Sequence, residues 1–300
     1  MHATALVEND VDHLAHVEDA CGAAIRHRGP GYRLLHGDTI EQLGRLPRAG
    51  VDLIFADPPY NLSNGGTTCQ GGRRVAVHKG DWDVSHGVRT DHEFHRAWLD
   101  ACRRALKPSG TLWVSGTQHV IFSLGFAMQD QGWHILNTVT WYKPNASPNL
   151  ACRQFTHSTE LLIWAAPARG KKLAHTFNYR DMKAQNGGKQ MRDVWALAAE
   201  GDHEEWVTGE GEHRMWRLPV PGKTEKREGH HPTQKPLALL DRIVQSASSP
   251  GDVVLDPFNG SGTTGVAAVG RGRRYVGIDR DAGYLDLTSR RLARLGRTDD

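Results

Sequence analysis

Residues 253–265 read Val-Val-Leu-Asp-Pro-Phe-Asn-Gly-Ser-Gly-Thr-Thr-Gly. A short apolar run is a strand buried on both faces, the glycines make a tight turn, and Thr263 opens a helix. Gly260, Gly262 and Gly265 satisfy the spacing G-x-G-x-x-G. Arg274 to Ile278 forms the next strand and ends on Asp279, where an acid takes the ribose hydroxyls of a nucleotide-like ligand. Three readings of the turn stand side by side. A dinucleotide would set its pyrophosphate on the helix N-terminus. Asp256 opposes that, because a carboxylate repels phosphate and favours a cationic ligand, an amine or a sulfonium. In the third reading the glycines serve packing alone.

Outward from this stretch the chain keeps alternating. Pro236 to Ala247 is a helix with proline at its start, and Pro250-Gly251-Asp252 turns into the strand. A last helix runs from Asp281 to about Leu295. Towards the N-terminus, Arg33 to His36 is a short strand closed by Gly37-Asp38. Thr39 is expected to cap a helix to about Leu46. Val51 to Ala56 (VDLIFA) is a buried strand, residues 61–90 a long loop, and Asp91 opens an amphipathic helix carrying Phe94, Trp98, Cys102 and Leu106 on one side. Strands follow at 111–115, 135–142 and 160–165. Such alternation predicts an α/β fold, a mostly parallel sheet with helices on both faces. Residues 1–30 read as an N-terminal appendage, and 167–229, without a clear period, as an inserted region.

Composition narrows the class. With 300 residues the chain can bury a core without staples, and 38% hydrophobic against 24% charged residues excludes a disordered chain. No apolar run approaches the ~20 residues of a membrane helix, and residues 1–19 lack the apolar core of a secretion signal. Cys21, Cys69, Cys102 and Cys152 are too scattered for a zinc pair or a disulfide framework, so a reduced, cytoplasmic protein without metal is expected. A net charge of +3 says little. The basic clusters Arg73-Arg74, Lys171-Lys172, Arg271 to Arg274 and Arg290-Arg291 are open to two readings, a nucleic-acid stripe or a solvated surface.

The other informative stretch is Asp57-Pro58-Pro59-Tyr60, at the end of the Val51 strand. Two prolines remove two amides and fix φ, so the turn is rigid and its carbonyls are free to accept. Asp57 offers carboxylate oxygens, Pro58 a carbonyl, Tyr60 a flat face. Together they suit a planar ring bearing an exocyclic amine, stacked on Tyr60 with its N–H groups on Asp57 and the Pro58 carbonyl.

Asp-Pro-Pro-Tyr with Asp-Pro-Phe-Asn-Gly-Ser-Gly-Thr resembles the S-adenosylmethionine-dependent DNA amino-methyltransferases, which modify adenine N6 or cytosine N4. The tetrapeptide precedes the glycine turn, as in that family's permuted beta group. His231-Pro-Thr-Gln-Lys-Pro236 resembles the segment that closes over the cofactor's methionine end. The resemblance covers about residues 32–165 and 230–295. It implies a Rossmann-like methyltransferase sheet, with 31–166 as the catalytic half, 230–300 as the cofactor half and 167–229 as a target-recognition insertion. Asn259 stands where members vary. Asp279 stands where glutamate is common, which shortens its reach.

By this resemblance the catalytic residues are Asp57, Pro58, Pro59 and Tyr60. S-adenosylmethionine would contact Asp256, Phe258, Gly260, Ser261, Gly262 and Thr263. Asp279 would hold its ribose, and Asp38 would lie near its adenine, with a helix cap as the equal alternative for Asp38. Thr233 and Lys235 would hold its carboxylate. The reaction implied is in-line methyl transfer to an aromatic amine, without a metal or a covalent intermediate. Cytosine C5 chemistry is disfavoured because no cysteine follows a proline. The target base of double-stranded DNA must be flipped out. Loop 61–90, with Arg73, Arg74 and Lys79, would fold over it; Asp81-Trp82-Asp83 resembles the Trp-Asp element that often follows the tetrapeptide in this family, and Trp82 would line the pocket or pack in the core. Lys143, Arg153, Lys183, Lys189, Arg192 and Arg214 are the candidates for phosphate or base contacts. Aspartate at 57 favours adenine N6 over cytosine N4, whose enzymes more often carry serine there. A nicotinamide dehydrogenase is the more distant alternative, and it leaves residues 57–60 unexplained. A homodimer and a cognate restriction nuclease remain open as partners.

Overall fold

The computed structural model describes residues 13–65, 67–70, 73–143, 146, 148–167, 174–196, 206–207, 212–213, 216–217, 224–229 and 231–295. The chain begins with helix α1 (His13–Cys21), strands β1 (Ile25–Gly29) and β2 (Tyr32–His36), helix α2 (Thr39–Arg45) and strand β3 (Val51–Ala56). A small antiparallel hairpin, β4 (Thr67–Gln70) and β5 (Arg73–Ala76), precedes helix α3 (Val88–Ala105) and strand β6 (Leu106–Gly116). Helix α4 (Ile121–Asp130), strands β7 (His134–Tyr142) and β8 (Thr159–Ala166), helix α5 (Tyr179–Gln185) and strand β9 (Val194–Ala196) follow. After the short strands β10 (Trp206–Val207), β11 (Glu212–His213) and β12 (Trp216–Arg217) come helix α6 (Leu237–Ala247), strand β13 (Val253–Asp256), helix α7 (Thr263–Gly270), strand β14 (Arg274–Asp279) and helix α8 (Ala282–Leu295).

Among the described residues the main sheet has ten strands in the order β1-β2-β14-β13-β3-β6-β8-β7-β9-β12. Its centre, β2 to β6, is parallel, while β8 runs antiparallel to both β6 and β7. Alternation along the strands assigns the two faces. Leu35, Ile54, Ala56 and Leu255 pack with α1–α4 on one side. Leu34, Leu53, Phe55 and Val254 pack with α6–α8 on the other. Each fully buried Leu, Ile, Val or Phe side chain in these two layers is worth roughly 1.5–3 kcal/mol. This explains why VDLIFA carries no polar alternation beyond Asp52, which instead takes the Lys107 ammonium at 2.7 Å.

The local structure differs from the sequence expectation at five places. Asp38, not Thr39, caps α2, accepting from the Ile40 and Glu41 amides at 2.9 and 3.2 Å. Helix α3 begins at Val88, one turn before Asp91. The loop of 61–90 contains the β4–β5 hairpin. Helix α4 has no counterpart in the sequence reading. Residues 13–29, read as part of an appendage, place Leu14, Val17 and Cys21 in the core and pair β1 on β2. Lys171-Lys172, Arg214 and residues 1–12 lie outside the described residues.

What the topology arranges is an edge. The C-terminal ends of β2, β14, β13, β3, β6 and β7 and the N-terminal end of β8 all point the same way. From β3 the chain crosses over through α3 to β6. From β13 it crosses the opposite way through α7 to β14. A crevice opens where such crossovers diverge.

Candidate active site

In that crevice lies a cavity of about 410 Å³, a size suited to a nucleoside-sized ligand. Two walls come from the ends of adjacent strands. Asp57 to Tyr60 leave β3, and Asp256 to Ser261 leave β13.

The β3 corner is clamped from outside itself. Ser115 Oγ, at the end of β6, donates to Asp57 Oδ1 at 2.6 Å. Lys235 Nζ donates to Asp57 Oδ2 at 2.5 Å. The backbone beyond the prolines hangs on one buried carboxylate: Asp83 accepts from the Tyr60 amide at 2.9 Å, the Leu62 amide at 3.0 Å and Ser63 Oγ at 3.0 Å. Tyr60 is itself buried, its hydroxyl donating to Glu160 Oε2 at 3.3 Å, with the Lys235 ammonium 5.0 Å from its ring. Burial first, then the charges of Asp57 and Glu160, push the Tyr60 hydroxyl well up. Burial would lower the Lys235 ammonium, but Asp57, Glu160 and Asp256 outweigh it and leave it raised.

The β13 turn, by contrast, closes on local partners. Asp256 Oδ1 accepts from the Phe258 amide at 3.0 Å and Oδ2 from Thr264 Oγ1 at 2.5 Å. Burial pushes this carboxyl up to about 7. Gly260 and Gly262 have φ of 48° and 71°, the left-handed region that glycine tolerates. A Cβ on Gly262 would lie 2.3 Å from Thr288, so this residue packs on α8 and does not line the cavity. Asp279 accepts from the Gly260 and Asp281 amides, both at 2.8 Å, and burial raises it to about 6. Arg291, from a cluster open to a surface reading, is buried and donates to the Ser261 carbonyl at 2.6 Å. Phe258 presents its ring between the cavity and the edge of Trp98, centroids 5.4 Å apart.

Of the expected cofactor residues, Asp256, Phe258, Gly260, Ser261, Thr263, Asp279, Thr233 and Lys235 line the cavity. Asp38 does not. It caps α2 and pairs with Arg280 at 2.9 Å, and Arg280 is the one that reaches the lining. Lys235, expected at a ligand carboxylate, has its ammonium on Asp57. Trp82 lines the cavity and stacks on His231, centroids 6.3 Å apart. The DNA candidates divide. Arg73, Arg153, Lys183, Lys189 and Arg192 are exposed, whereas Lys143 turns inward to the Glu160 carboxylate. Sequence reasoning does not find Ser115 and Glu160, and it marks Asp83 through the Trp-Asp resemblance without its grip on the Tyr60 and Leu62 amides. The signal for Ser115 and Glu160 would be the register of neighbouring strands, which one sequence does not print.

The lining holds the carboxylates of Asp57, Asp81, Asp83, Asp91, Asp256, Asp279 and Asp281 against the three cations Lys79, Lys235 and Arg280, together with the apolar ring of Phe258. This donor set suits a cationic nucleoside and is unsuited to a pyrophosphate. Fold and site together define an α/β group-transfer enzyme that works on a nucleoside-like cofactor. Residues 51–290 match the DNA methylase model for N6 and N4 enzymes, and the chain belongs to that family of S-adenosylmethionine-dependent DNA amino-methyltransferases. It is 47% identical over 259 residues to the type II methyltransferase M2.DpnII of Streptococcus pneumoniae, covering 86% of this chain and 88% of that one. It is 41% identical over 260 residues to M2.MboI of Moraxella bovis, covering 87% of each.

Solved structures agree on the fold. The cytosine-N4-specific PvuII methyltransferase superposes with TM-score 0.65 at 15% identity, over 92% of this chain and 90% of the other. The S-adenosylmethionine complex of a DNA modification methylase from Thermus thermophilus gives 0.58 at 22% identity, over 88% and 94%. The family match, with the 47% identical methyltransferase relative, removes the dehydrogenase reading of the glycine spacing. DNA is the substrate, and no helix among the described residues is long and apolar enough to cross a membrane.

Proposed function

We propose that the cavity methylates the exocyclic amine of a base flipped out of double-stranded DNA, adenine N6 rather than cytosine N4. One observation carries the reading: the acidic corner of β3 and the glycine turn of β13 face the same cavity from neighbouring strands. When bound, S-adenosylmethionine supplies an electrophilic methyl on a sulfonium. The lining supports Asp256, Phe258, Ser261, Thr263 and Asp279 as the residues that would hold that cofactor, and Thr233 lines the same cavity.

The chain's own work is on the amine. An exocyclic amine is a weak nucleophile because its lone pair is conjugated with the ring. Asp57 and the Pro58 carbonyl accept its two N–H groups, turning the lone pair out of conjugation and stabilising positive charge as it grows on nitrogen. Pro58 and Pro59 fix the corner, Tyr60 walls the slot, and Asp83 holds the backbone in register, so positioning supplies much of the remainder. Aspartate at position 57 supports adenine. The exposed arginines and lysines of 153–192 support target contacts from the region before the cofactor half. The type II names of the relatives support a cognate restriction nuclease as a functional partner and the cytoplasm as the place of work.

The test is expression in a host free of DNA methylation, with modified bases mapped by single-molecule sequencing, alongside Asp57→Ala. N6-methyladenine at one short motif is expected from the unaltered chain and none from the variant, which should still bind cofactor. N4-methylcytosine would reassign the base, and normal methylation by Asp57→Ala would remove its role.

A further inference from the structure

A third carboxylate stands at the corner, unassigned by any motif. Glu160 is the second residue of β8, and because β8 runs against its neighbours, the start of this strand arrives at the same edge as the last residues of β3 and β6. It is buried, and three groups face it. Tyr60 donates its hydroxyl at 3.3 Å, Lys143 donates its ammonium from the end of β7, and Lys235 Nζ lies 3.7 Å away. Lys235 thus stands between two carboxylates, 2.5 Å from Asp57 and 3.7 Å from Glu160.

We propose that Glu160 is a positioning residue that draws the Lys235 ammonium off Asp57 when the amine of the target base enters the pocket. The inference rests on the reading of Asp57 as the acceptor of the amine's N–H.

Donors compete here for a limited set of oxygens. Asp57 Oδ1 holds Ser115 and Oδ2 holds Lys235. An arriving N–H group meets a carboxylate whose charge is already half spent on an ammonium, and a neutralised acceptor stabilises growing charge on nitrogen poorly. Lys235 cannot simply be expelled, because its side chain is only 8% exposed and a buried cation without a partner is strongly unfavourable. Glu160 provides the second berth without passage through water. Lys143 makes the exchange neutral: with a side chain 29% exposed it can turn its ammonium to solvent as Lys235 takes its place on Glu160. Four charges, Asp57, Glu160, Lys235 and Lys143, remain four charges. Only the pairing changes, from Asp57–Lys235 and Glu160–Lys143 to Asp57–amine and Glu160–Lys235.

The test compares full-length wild type, Glu160→Gln, Glu160→Asp and Asp57→Ala on methylation-free genomic DNA with labelled S-adenosylmethionine. Turnover is followed from about pH 6.5 to about pH 9.5 and cofactor affinity measured separately. Glu160→Gln should lose roughly 10–100-fold in kcat near neutrality, the size of one charge-assisted hydrogen bond, with cofactor affinity unchanged. The deficit should narrow as pH rises: Asp57 and Asp256, the other carboxylates acting on Lys235, are common to both proteins, whereas removing Glu160's charge lowers the Lys235 pKa and a neutral Lys235 releases Asp57. A merely structural role would give the same deficit at every pH. A flat deficit, or turnover equal to wild type, overturns the proposal. Should the glutamine variant fail to fold, Glu160→Asp decides. Its shorter reach should lower kcat about three- to tenfold at unchanged cofactor affinity, and an unchanged kcat overturns the proposal. Normal turnover by Asp57→Ala would instead sink the reading beneath it.

Discussion

Two Asp-Pro turns leave neighbouring strands of this molecule, and they are held in opposite ways. Asp256 is satisfied by its own turn, by an amide two residues on and a hydroxyl eight residues on. Asp57 is satisfied by side chains that come from β6 and from the segment before α6, the second 178 residues away. Local closure makes a rigid cradle whose carboxyl burial raises to about 7. Remote closure makes an acceptor whose partners can be exchanged. The same dipeptide is scaffold in one place and reagent in the other, and the difference lies in who donates.

The sharpest way to break this contrast is to neutralise each carboxylate in turn. Asp57→Asn should cost roughly 10³-fold or more in turnover at saturating cofactor, as loss of a preorganised charge does. Asp256→Asn should cost about 1–2 kcal/mol of stability and leave turnover at saturating cofactor within about fivefold. Comparable losses of turnover in both variants would erase the distinction. Next in size is the cradle's packing. Gly262→Ala forces a left-handed φ of 71° on an alanine and drives its Cβ into Thr288. The expected loss is about 2–4 kcal/mol, read as a shifted denaturation midpoint.

Acidity offers a third test. Asp256 and Asp279 are raised from 3.8 to about 7 and about 6. Their folded-state protons are held more tightly than in the unfolded chain, so their contribution to stability falls as pH rises from about 4 to about 7. Binding of a cationic cofactor runs the other way, since it favours the ionised forms. Cofactor affinity should rise about tenfold from about pH 5.5 to about pH 7.5, and Asp279→Asn should flatten part of that rise. A pH-independent affinity would show that neither charge meets the ligand. The smallest effect is expected at Asp38. Asp38→Ala should remove a helix cap worth about 1 kcal/mol and leave cofactor affinity within about threefold. A loss of affinity of about tenfold, roughly 1.4 kcal/mol, would return Asp38 to the cofactor's adenine.

Much of this is legible in the sequence because local rules coincide with the fold. VDLIFA reads as a strand buried on both faces, and β3 occupies those six residues. The glycines of 260–265 announce a turn, and at Gly262 the left-handed φ and the close approach of Thr288 demand glycine by packing alone. What stays hidden depends on register. Ser115 and Glu160 lie on strands that the periodicity locates, yet their place beside Asp57 follows from β6 pairing parallel to β3 and β8 pairing antiparallel to β6. Asp83 sits in a segment that reads as loop, and its grip on the Tyr60 and Leu62 amides needs the chain to return from the hairpin. Lys235 stands out in the sequence but its partner does not, because burial among carboxylates chooses the partner and a motif does not record burial.

The adjacency of β3 and β13 has one more consequence. Paired strands stand about 4.8 Å apart whatever lies on their loops, so the gap between the two Asp-Pro turns is gauged by backbone ladder geometry and not by side-chain choice. Insertions at 61–90 or beyond residue 167 leave that gauge untouched. A change of length in either segment therefore leaves the stroke of methyl transfer as it was.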